Sequence, residues 1–88
     1  MKRNYEDKVY ADWRLAVFKR DKFRCQMPSC KNKKGLNAHH IHKWSTASTL
    51  RYDVFNGITL CYSCHKKVTG HEHLYIGVFE DINRRKKH

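Results

Sequence analysis

The sequence predicts a small α+β domain with a helix toward each end and a four-cysteine zinc site that cross-links it. Three observations support this prediction: apolar residues recur at helical spacing near the start, an Asn-Gly step precedes the apolar run ITLC, and four cysteines form two separated pairs. In a chain of 88 residues, a hydrophobic core alone supplies only a few kcal/mol of stability. We therefore expect a metal cross-link to complete the fold.

The first predicted element is a helix over residues 9–20, VYADWRLAVFKR. Its apolar residues recur at helical spacing, so one stripe of the helix is expected to face the core. Trp13 and Phe18 are assigned to that core rather than to base stacking, because both lie in this amphipathic segment. Residues 1–8 are polar and are expected to be frayed.

Two strands are predicted in the middle of the chain. The segment LNAHHIH, residues 36–42, is expected to be extended, after a short strand or knuckle at 23–28. Asn56 and Gly57 form a strong turn signal. The run ITLC at 58–61 then reads as a strand that forms a hairpin with the histidine-bearing segment.

The hydrophobic period changes after the second strand. The segment CYSCHKKV, residues 61–68, suits the first two turns of a helix that ends near Gly70. Residues 72–85 are compatible with a final helix. We find no internal repeat and no domain boundary.

The cysteines form a CxxxxC pair, Cys25 and Cys30, and a CxxC pair, Cys61 and Cys64. Four such thiolates match the tetrahedral coordination of one Zn²⁺ ion. Two disulfides or free thiols are the alternatives, and a reducing compartment disfavours the disulfides. A zinc ion with four sulfur ligands has no open position for water, so we expect this site to be structural.

The charge of the chain indicates a polyanionic partner. Nineteen Lys and Arg residues against eight Asp and Glu residues give a net charge of +11, which favours nucleic acid. The alternative is a solvated charged surface, but acidic residues are too few to balance the basic ones. No run of about 18 apolar residues is present, and the charged start MKRNYEDK has no signal-peptide core behind it. We expect a soluble cytoplasmic protein with no membrane partner.

Three of the seven histidines, His39, His40 and His42, fall within four positions. Neighbouring residues of a strand point in opposite directions, so His39 and His40 cannot act as equivalent ligands. Hydrolysis of a phosphodiester needs a base beside the attacking water and a cation near the leaving oxygen. Two adjacent histidines that straddle one phosphate could serve both needs, and His65, directly after CxxC, could be the second metal ligand.

Three fragments carry a resemblance to a known family: AHHI at 38–41, NGITLC at 56–61 and CYSCHK at 61–66. In this order and spacing they resemble the HNH endonucleases, and among them the small phage-type nucleases. The resemblance covers roughly residues 13–72 and implies the ββα-metal fold. We accordingly expect 1–88 to be a single HNH endonuclease domain with its core at about 13–72.

The resemblance implies a role for each matching residue. His40 would be the general base that takes a proton from water, and His39 and His65 would bind a catalytic divalent metal. Asn56 would fix the hairpin loop and orient the base, although an Asn-Gly turn explains it equally well. Some relatives have a further metal-binding histidine where this chain has Thr69, so water and phosphate oxygens are expected to complete the coordination.

The expected activity is metal-dependent hydrolysis of DNA phosphodiester bonds, by nicking double-stranded DNA with low or short sequence specificity. The catalytic ion is left open: two imidazoles accept Mn²⁺, Ni²⁺, Co²⁺ or Zn²⁺, whereas Mg²⁺ prefers oxygen. A non-catalytic zinc-binding nucleic-acid module is the alternative, and a ribonuclease with the same site is a third. Other DNA-processing proteins are conceivable partners, since small proteins resembling this one are common in bacteriophages.

Five further residues are candidates for contact with backbone phosphate, namely Arg14, Arg20, His42, Lys43 and Arg51. Each arginine could equally be a surface charge. His42 could equally be a partly exposed strand residue.

Overall fold

A computed structural model describes residues 4–28, 30–42 and 52–86. Within these ranges the elements are, in chain order, α1 (Asn4–Arg20), β1 (Leu36–His40), a 3₁₀ turn (Val54–Asn56), β2 (Gly57–Cys61), α2 (Tyr62–Val68) and α3 (Glu72–Arg84). The two strands pair antiparallel. The predicted α+β class with an N-terminal and a C-terminal helix is confirmed.

The first helix is longer than the sequence indicates. It begins at Asn4 rather than at position 9, so the expectation of a frayed segment fails for residues 4–8. Lys8 and Asp12 lie one turn apart and form an ion pair with an N···O distance of 3.1 Å, which favours the helical conformation there. Trp13 and Phe18 are buried, as expected for core residues.

The strand pair differs from a tight hairpin. In the register of β1 and β2, His40 is opposite Gly57 and Leu36 is opposite Cys61. Gly57 is not part of a turn, because its φ of −120° and ψ of 148° are those of a strand. A Cβ atom at this position would lie 2.5 Å from Cγ2 of Val17, so the glycine is needed for close packing against α1.

β2 is the most buried element, with all five residues inside the protein. Gly57 faces α1, and Ile58 and Leu60 point to the other side, toward the second and third helices. Both belong to an apolar cluster that includes three of the four cysteines and is made of Cys25, Ile41, Ile58, Leu60, Cys61, Cys64, Val68 and Phe79. The metal-ligand candidates and the core are therefore one continuous unit.

Residues 23–28 form a knuckle rather than a strand. The backbone N–H of Cys25 donates to the carbonyl of Asn32 at 2.8 Å, and that of Gln26 donates to Thr59 in β2 at 2.9 Å. The chain enters this knuckle through Lys22 and Phe23, whose φ angles of 58° and 55° lie in the left-handed region. These bonds attach the first cysteine pair to the sheet.

The end of α1 and the C-terminal end of the described chain meet in a buried polar network. The carboxylate of Asp21 accepts hydrogen bonds from Arg20, from Lys86 and from the backbone N–H of Thr59. Burial raises the pKa of Asp21, but the bonds from Arg20 and Lys86 outweigh it and hold that pKa below its usual value. The segment after α3 is thereby fixed against the end of α1.

Among the described residues, none of the helices combines the length and the apolar character that a membrane-spanning helix needs.

Candidate active site and metal centre

The four cysteines meet at one point of the fold. Cys25 comes from the knuckle, Cys30 from the segment directly after it, Cys61 from the end of β2 and Cys64 from the first turn of α2. Their sulfur atoms all lie within 4.8 Å of one another, and the Sγ atoms of Cys30 and Cys61 are 3.8 Å apart. Zinc bonds of about 2.3 Å in a tetrahedron place sulfurs about 3.8 Å apart. The four sulfur atoms are therefore close enough together to hold one zinc ion.

The geometry distinguishes between the expectations for these cysteines. All four are free, and 3.8 Å is far longer than the S–S bond of about 2.05 Å. A hydrogen bond from the backbone of Cys64 lowers the pKa of the Cys61 thiol to about 7. Burial raises the pKa values of Cys25 and Cys64. Metal binding requires thiolates. Among Cys25, Cys61 and Cys64, the thiol of Cys61 loses its proton most readily.

The adjacent histidines of β1 face opposite sides of the sheet. His39 is 8 % exposed, and its ring lies edge-on to that of His65 with 5.6 Å between centroids. His40 lies on the α1 side, stacked on Trp13. The predicted divergence of the two side chains is thus present, and the structure brings His39 and His65 together.

The surroundings of His39 suit a metal ligand. Burial, and after it the nearby imidazole of His65, lower the pKa of His39 to about 4, against an opposing effect of Glu72. A neutral imidazole is the form that binds a metal ion. With 5.6 Å between their ring centroids, His39 and His65 are close enough for one nitrogen of each ring to bind the same ion.

Position 69 does not supply a third ligand. The hydroxyl of Thr69 donates to the carbonyl of His65 at 2.8 Å, and its backbone N–H donates to the same carbonyl at 3.0 Å. Thr69 therefore closes the end of α2. In the described part of the chain, the four cysteines are the one group of three or more His, Cys, Asp or Glu residues close enough to share an ion. An ion at His39 and His65 would complete its coordination with water or substrate oxygens.

Asn56 joins the segment after β1 to the turn before β2. Its side-chain oxygen accepts from the backbone N–H of His42 at 2.8 Å, and its side-chain nitrogen donates to the carbonyl of His42 at 3.2 Å. Its own carbonyl accepts from the N–H of Ile41 at 2.8 Å. Asn56 is buried. Asn56 therefore holds in place the two residues that directly follow His40.

The predicted phosphate contacts have different surroundings. Arg14 is exposed, with its guanidinium carbon 4.7 Å from the ring centroid of Phe18. His42 is partly exposed and pairs with Glu80 at an N···O distance of 2.6 Å. Lys43 and Arg51 lie outside the described residues.

Arg20 is a correction to the expectation. Its side chain is only 7 % exposed, and its guanidinium donates to Asp21 and to the carbonyls of Val54 and Gly57, the last two at 2.7 Å. Because its donors are directed inward, Arg20 stabilises the fold instead of contacting phosphate.

Two features of the site were not predicted from the sequence. The first is the stack of Trp13 on His40, with ring centroids 4.0 Å apart. The second is Asn83 of α3, whose side-chain nitrogen donates to the carbonyls of Phe55 and Gly57 at 3.0 and 2.9 Å. A buried asparagine in an amphipathic helix is the one weak indication that could have marked position 83.

A strand pair is followed directly by a helix, and a histidine pair lies between sheet and helix, as the resemblance to HNH endonucleases implies. The model of the HNH endonuclease family matches residues 25–70, just over half of the chain. The protein belongs to the HNH endonuclease family. No curated protein and no solved structure gives a significant match.

Proposed function

We propose that the protein is a metal-dependent endonuclease that hydrolyses phosphodiester bonds of double-stranded DNA. One observation carries the proposal. The ring centroids of His39 and His65 lie 5.6 Å apart at the junction of sheet and helix, while His40 projects from the other face of β1. A phosphate at the end of β1 would have an ion on one side and a base on the other. In-line displacement by water needs this division of roles.

In the proposed reaction, His40 accepts a proton from the attacking water. His39 and His65 hold the divalent ion, which when bound would stabilise negative charge on the phosphate and on the leaving oxygen. Asn56 positions the segment that follows His40 through its two bonds to the backbone of His42. The four cysteines hold a structural zinc ion that fixes α2, and with it His65, against the sheet.

The metal is proposed from the donor set. Two imidazoles suit Mn²⁺, Ni²⁺, Co²⁺ or Zn²⁺. Mg²⁺ is compatible only if water and phosphate supply most of its ligands, because it prefers oxygen. The whole chain is proposed as a single domain, since α1 and α3 pack on either side of the matched segment.

Nucleic acid is proposed as substrate from family membership and charge. A groove of about 370 Å³ lies between the end of α1 and the cysteine knuckle and is lined by five basic side chains. Arg20 and Lys86 are bonded to Asp21 there, whereas Lys22, Arg24 and Lys31 are exposed. Contacts of such residues to phosphate are independent of base sequence, which favours low specificity. A single site would nick one strand at a time.

The decisive experiment is cleavage of supercoiled plasmid with Mg²⁺ or Mn²⁺, with EDTA as control. Wild-type protein should nick the plasmid. His40→Ala should lower the rate by about 100-fold or more, because a positioned general base contributes about 10²- to 10⁴-fold. Bound zinc and DNA affinity should not change.

His73→Ala is the matched control. His73 is exposed on α3, outside the proposed site, so this variant should nick at the wild-type rate. Equal rates for His40→Ala and wild type would remove His40 from the mechanism. Faster cleavage of RNA than of DNA would change the substrate but not the site.

The second candidate is a nucleic-acid-binding module without activity. The sulfur cluster and the charge of +11 favour it as strongly as they favour a nuclease. The same assay separates the two, because a binding module would shift the plasmid in a gel but leave it supercoiled.

A further inference from the structure

The indole of Trp13 lies flat against the imidazole of His40. The ring centroids are 4.0 Å apart and the planes differ by 9°. Trp13 belongs to α1, which precedes the segment matched by the family model. We infer that Trp13 is a positioning residue of the active site, which fixes the plane in which His40 presents its nitrogens. The inference rests on the proposed function, because it assigns Trp13 a part in that reaction.

Trp13 is itself held rigidly. Its side chain is 3 % exposed, and its indole N–H donates to the carbonyl of Asp53 at 2.9 Å. The carboxylate of Asp53 in turn accepts from the N–H of Phe55 at 2.9 Å and caps the 3₁₀ turn. The ring of Tyr10 lies 5.7 Å from the indole on the same helix. The indole is thus fixed both to α1 and to the turn that leads into β2.

Gly57 provides the space for this stack. It is the direct partner of His40 in the strand register. A Cβ atom at Gly57 would lie 2.7 Å from Cζ2 of Trp13, closer than real Cβ contacts occur. A glycine opposite His40 therefore lets the indole reach across the sheet to the imidazole. The glycine of the NGITLC fragment has a packing role here that its sequence context does not reveal.

A stacked ring controls orientation without occupying the reactive atoms. The indole contacts the face of the imidazole, whereas proton transfer uses the nitrogens at its edge. Rotation about χ2 of histidine is broad when no neighbour restrains it. A general base must lie about 2.6–3.2 Å from the atom it deprotonates, and a misplacement of about 1 Å can cost about 100-fold in rate. A flat, immobile surface beside His40 removes the rotation that would cause such a misplacement.

The test compares two substitutions of Trp13 on a small substrate, bis(4-nitrophenyl) phosphate with saturating Mn²⁺. Trp13→Leu fills space but has no flat face, and kcat should fall by about 10- to 100-fold with KM unchanged. Trp13→Phe restores a flat ring and should recover most of kcat. Phe18→Leu is the matched control: it truncates another buried aromatic residue of α1, and kcat should not change.

A second measurement tests the stack of Trp13 on His40 in the wild-type protein, so it does not depend on whether a variant folds. In NMR spectra, the ring protons of His40 in wild-type protein should be shifted upfield by the indole ring current. Trp13→Phe should reduce this shift. If the ring protons of His40 in the wild-type protein had random-coil chemical shifts, the inference would be overturned.

The kinetic results also separate the inference from the proposed function. If His40→Ala is inactive but Trp13→Leu keeps the wild-type kcat, the positioning role is wrong and the nuclease proposal stands. If Phe18→Leu loses as much kcat as Trp13→Leu, the effect is general destabilisation and the inference is overturned. If wild-type protein hydrolyses nothing, the proposed function fails, and the role of Trp13 in catalysis fails with it.

Discussion

At the scale of single residues, His39 and His40 are neighbours of identical chemistry in different surroundings. His39 is enclosed by the rings of His65 and Phe79, at centroid distances of 5.6 and 5.7 Å. His40 lies against a tryptophan on the other face of β1. The alternation of a strand is enough to separate them. The fold thus gives two neighbouring histidines different environments, of which that of His39 is the more buried.

The burial of His39 predicts a specific loss of stability in acid. The pKa of His39 is about 4 in the folded protein and about 6.5 when exposed, so between these values the unfolded chain binds the extra proton. The free energy of unfolding should therefore fall as pH falls from about 6.5 to about 4, by up to about 3 kcal/mol over the whole window. Urea unfolding at pH 7 and at pH 4.5, without added divalent metal, measures this loss.

His39→Leu isolates the contribution of that side chain, because the other titrating groups are common to both proteins. The variant should lose less stability between the two pH values than the wild type. Equal losses in the two proteins would contradict the assignment to His39.

At the scale of elements, the turn before β2 depends on side chains from both outer helices. Trp13 and Arg20 of α1 donate to the carbonyls of Asp53 and Val54, and Asn83 of α3 donates to that of Phe55. The carbonyl of Gly57 accepts from both Arg20 and Asn83. Backbone carbonyls outside regular secondary structure need other hydrogen-bond partners, and here the partners are distant side chains. The helices outside the family-matched segment therefore shape the corner that holds Asn56.

Gly57→Ala should destabilise the protein by about 1–3 kcal/mol, a typical cost of added atoms in a packed core. The new Cβ would lie 2.5 Å from Val17 and 2.7 Å from Trp13, so α1 would have to move. Thermal or urea unfolding measures the change.

Gly77→Ala is the matched control for the same substitution. Gly77 lies in α3 with no atom within 4 Å of a Cβ built there, so alanine should stabilise the protein by about 0.4–1 kcal/mol. Similar effects at both positions would contradict the close packing at Gly57.

At the scale of the whole molecule, the sulfur cluster connects three parts of the fold. The knuckle, the end of β2 and the start of α2 each contribute cysteines to it. Cys25, Cys61 and Cys64 also belong to the apolar core. Because a chain of 88 residues has a small core, an ion bound at this cluster would contribute a large share of the stability. Core and cross-link are therefore expected to unfold together.

Cys64→Ser should abolish stoichiometric zinc binding and cooperative unfolding, since structural zinc sites supply folding free energy directly. Metal analysis and thermal unfolding followed by circular dichroism would measure both effects. Ser63→Ala, at the exposed neighbouring position, should keep one zinc ion and a cooperative transition. A folded, zinc-loaded Cys64→Ser protein would contradict the structural role of the cluster.

Local pattern was sufficient for the central elements and insufficient at their borders. The change of period at Cys61 correctly predicts α2, and the alternation of β1 separates His39 from His40. The start of α1 was predicted too late, because its first turns are polar and carry no apolar stripe. Gly57 was assigned to a turn from its Asn-Gly context, yet it lies in a strand because α1 packs against it.

The sequence by itself determined the cysteine cluster, the family resemblance and the candidate histidines, because ligand chemistry and short spacings are local properties of the chain. Only the tertiary structure decided that Arg20 turns inward, that Asn83 holds the corner at Gly57, and that Trp13 stacks on His40. Each of these contacts joins residues more than twenty positions apart. From the sequence alone, several other arginines, asparagines and aromatic residues were equally good candidates for the same contacts. Which of them meet depends on how the helices pack on the sheet, and that packing is a property of the whole chain.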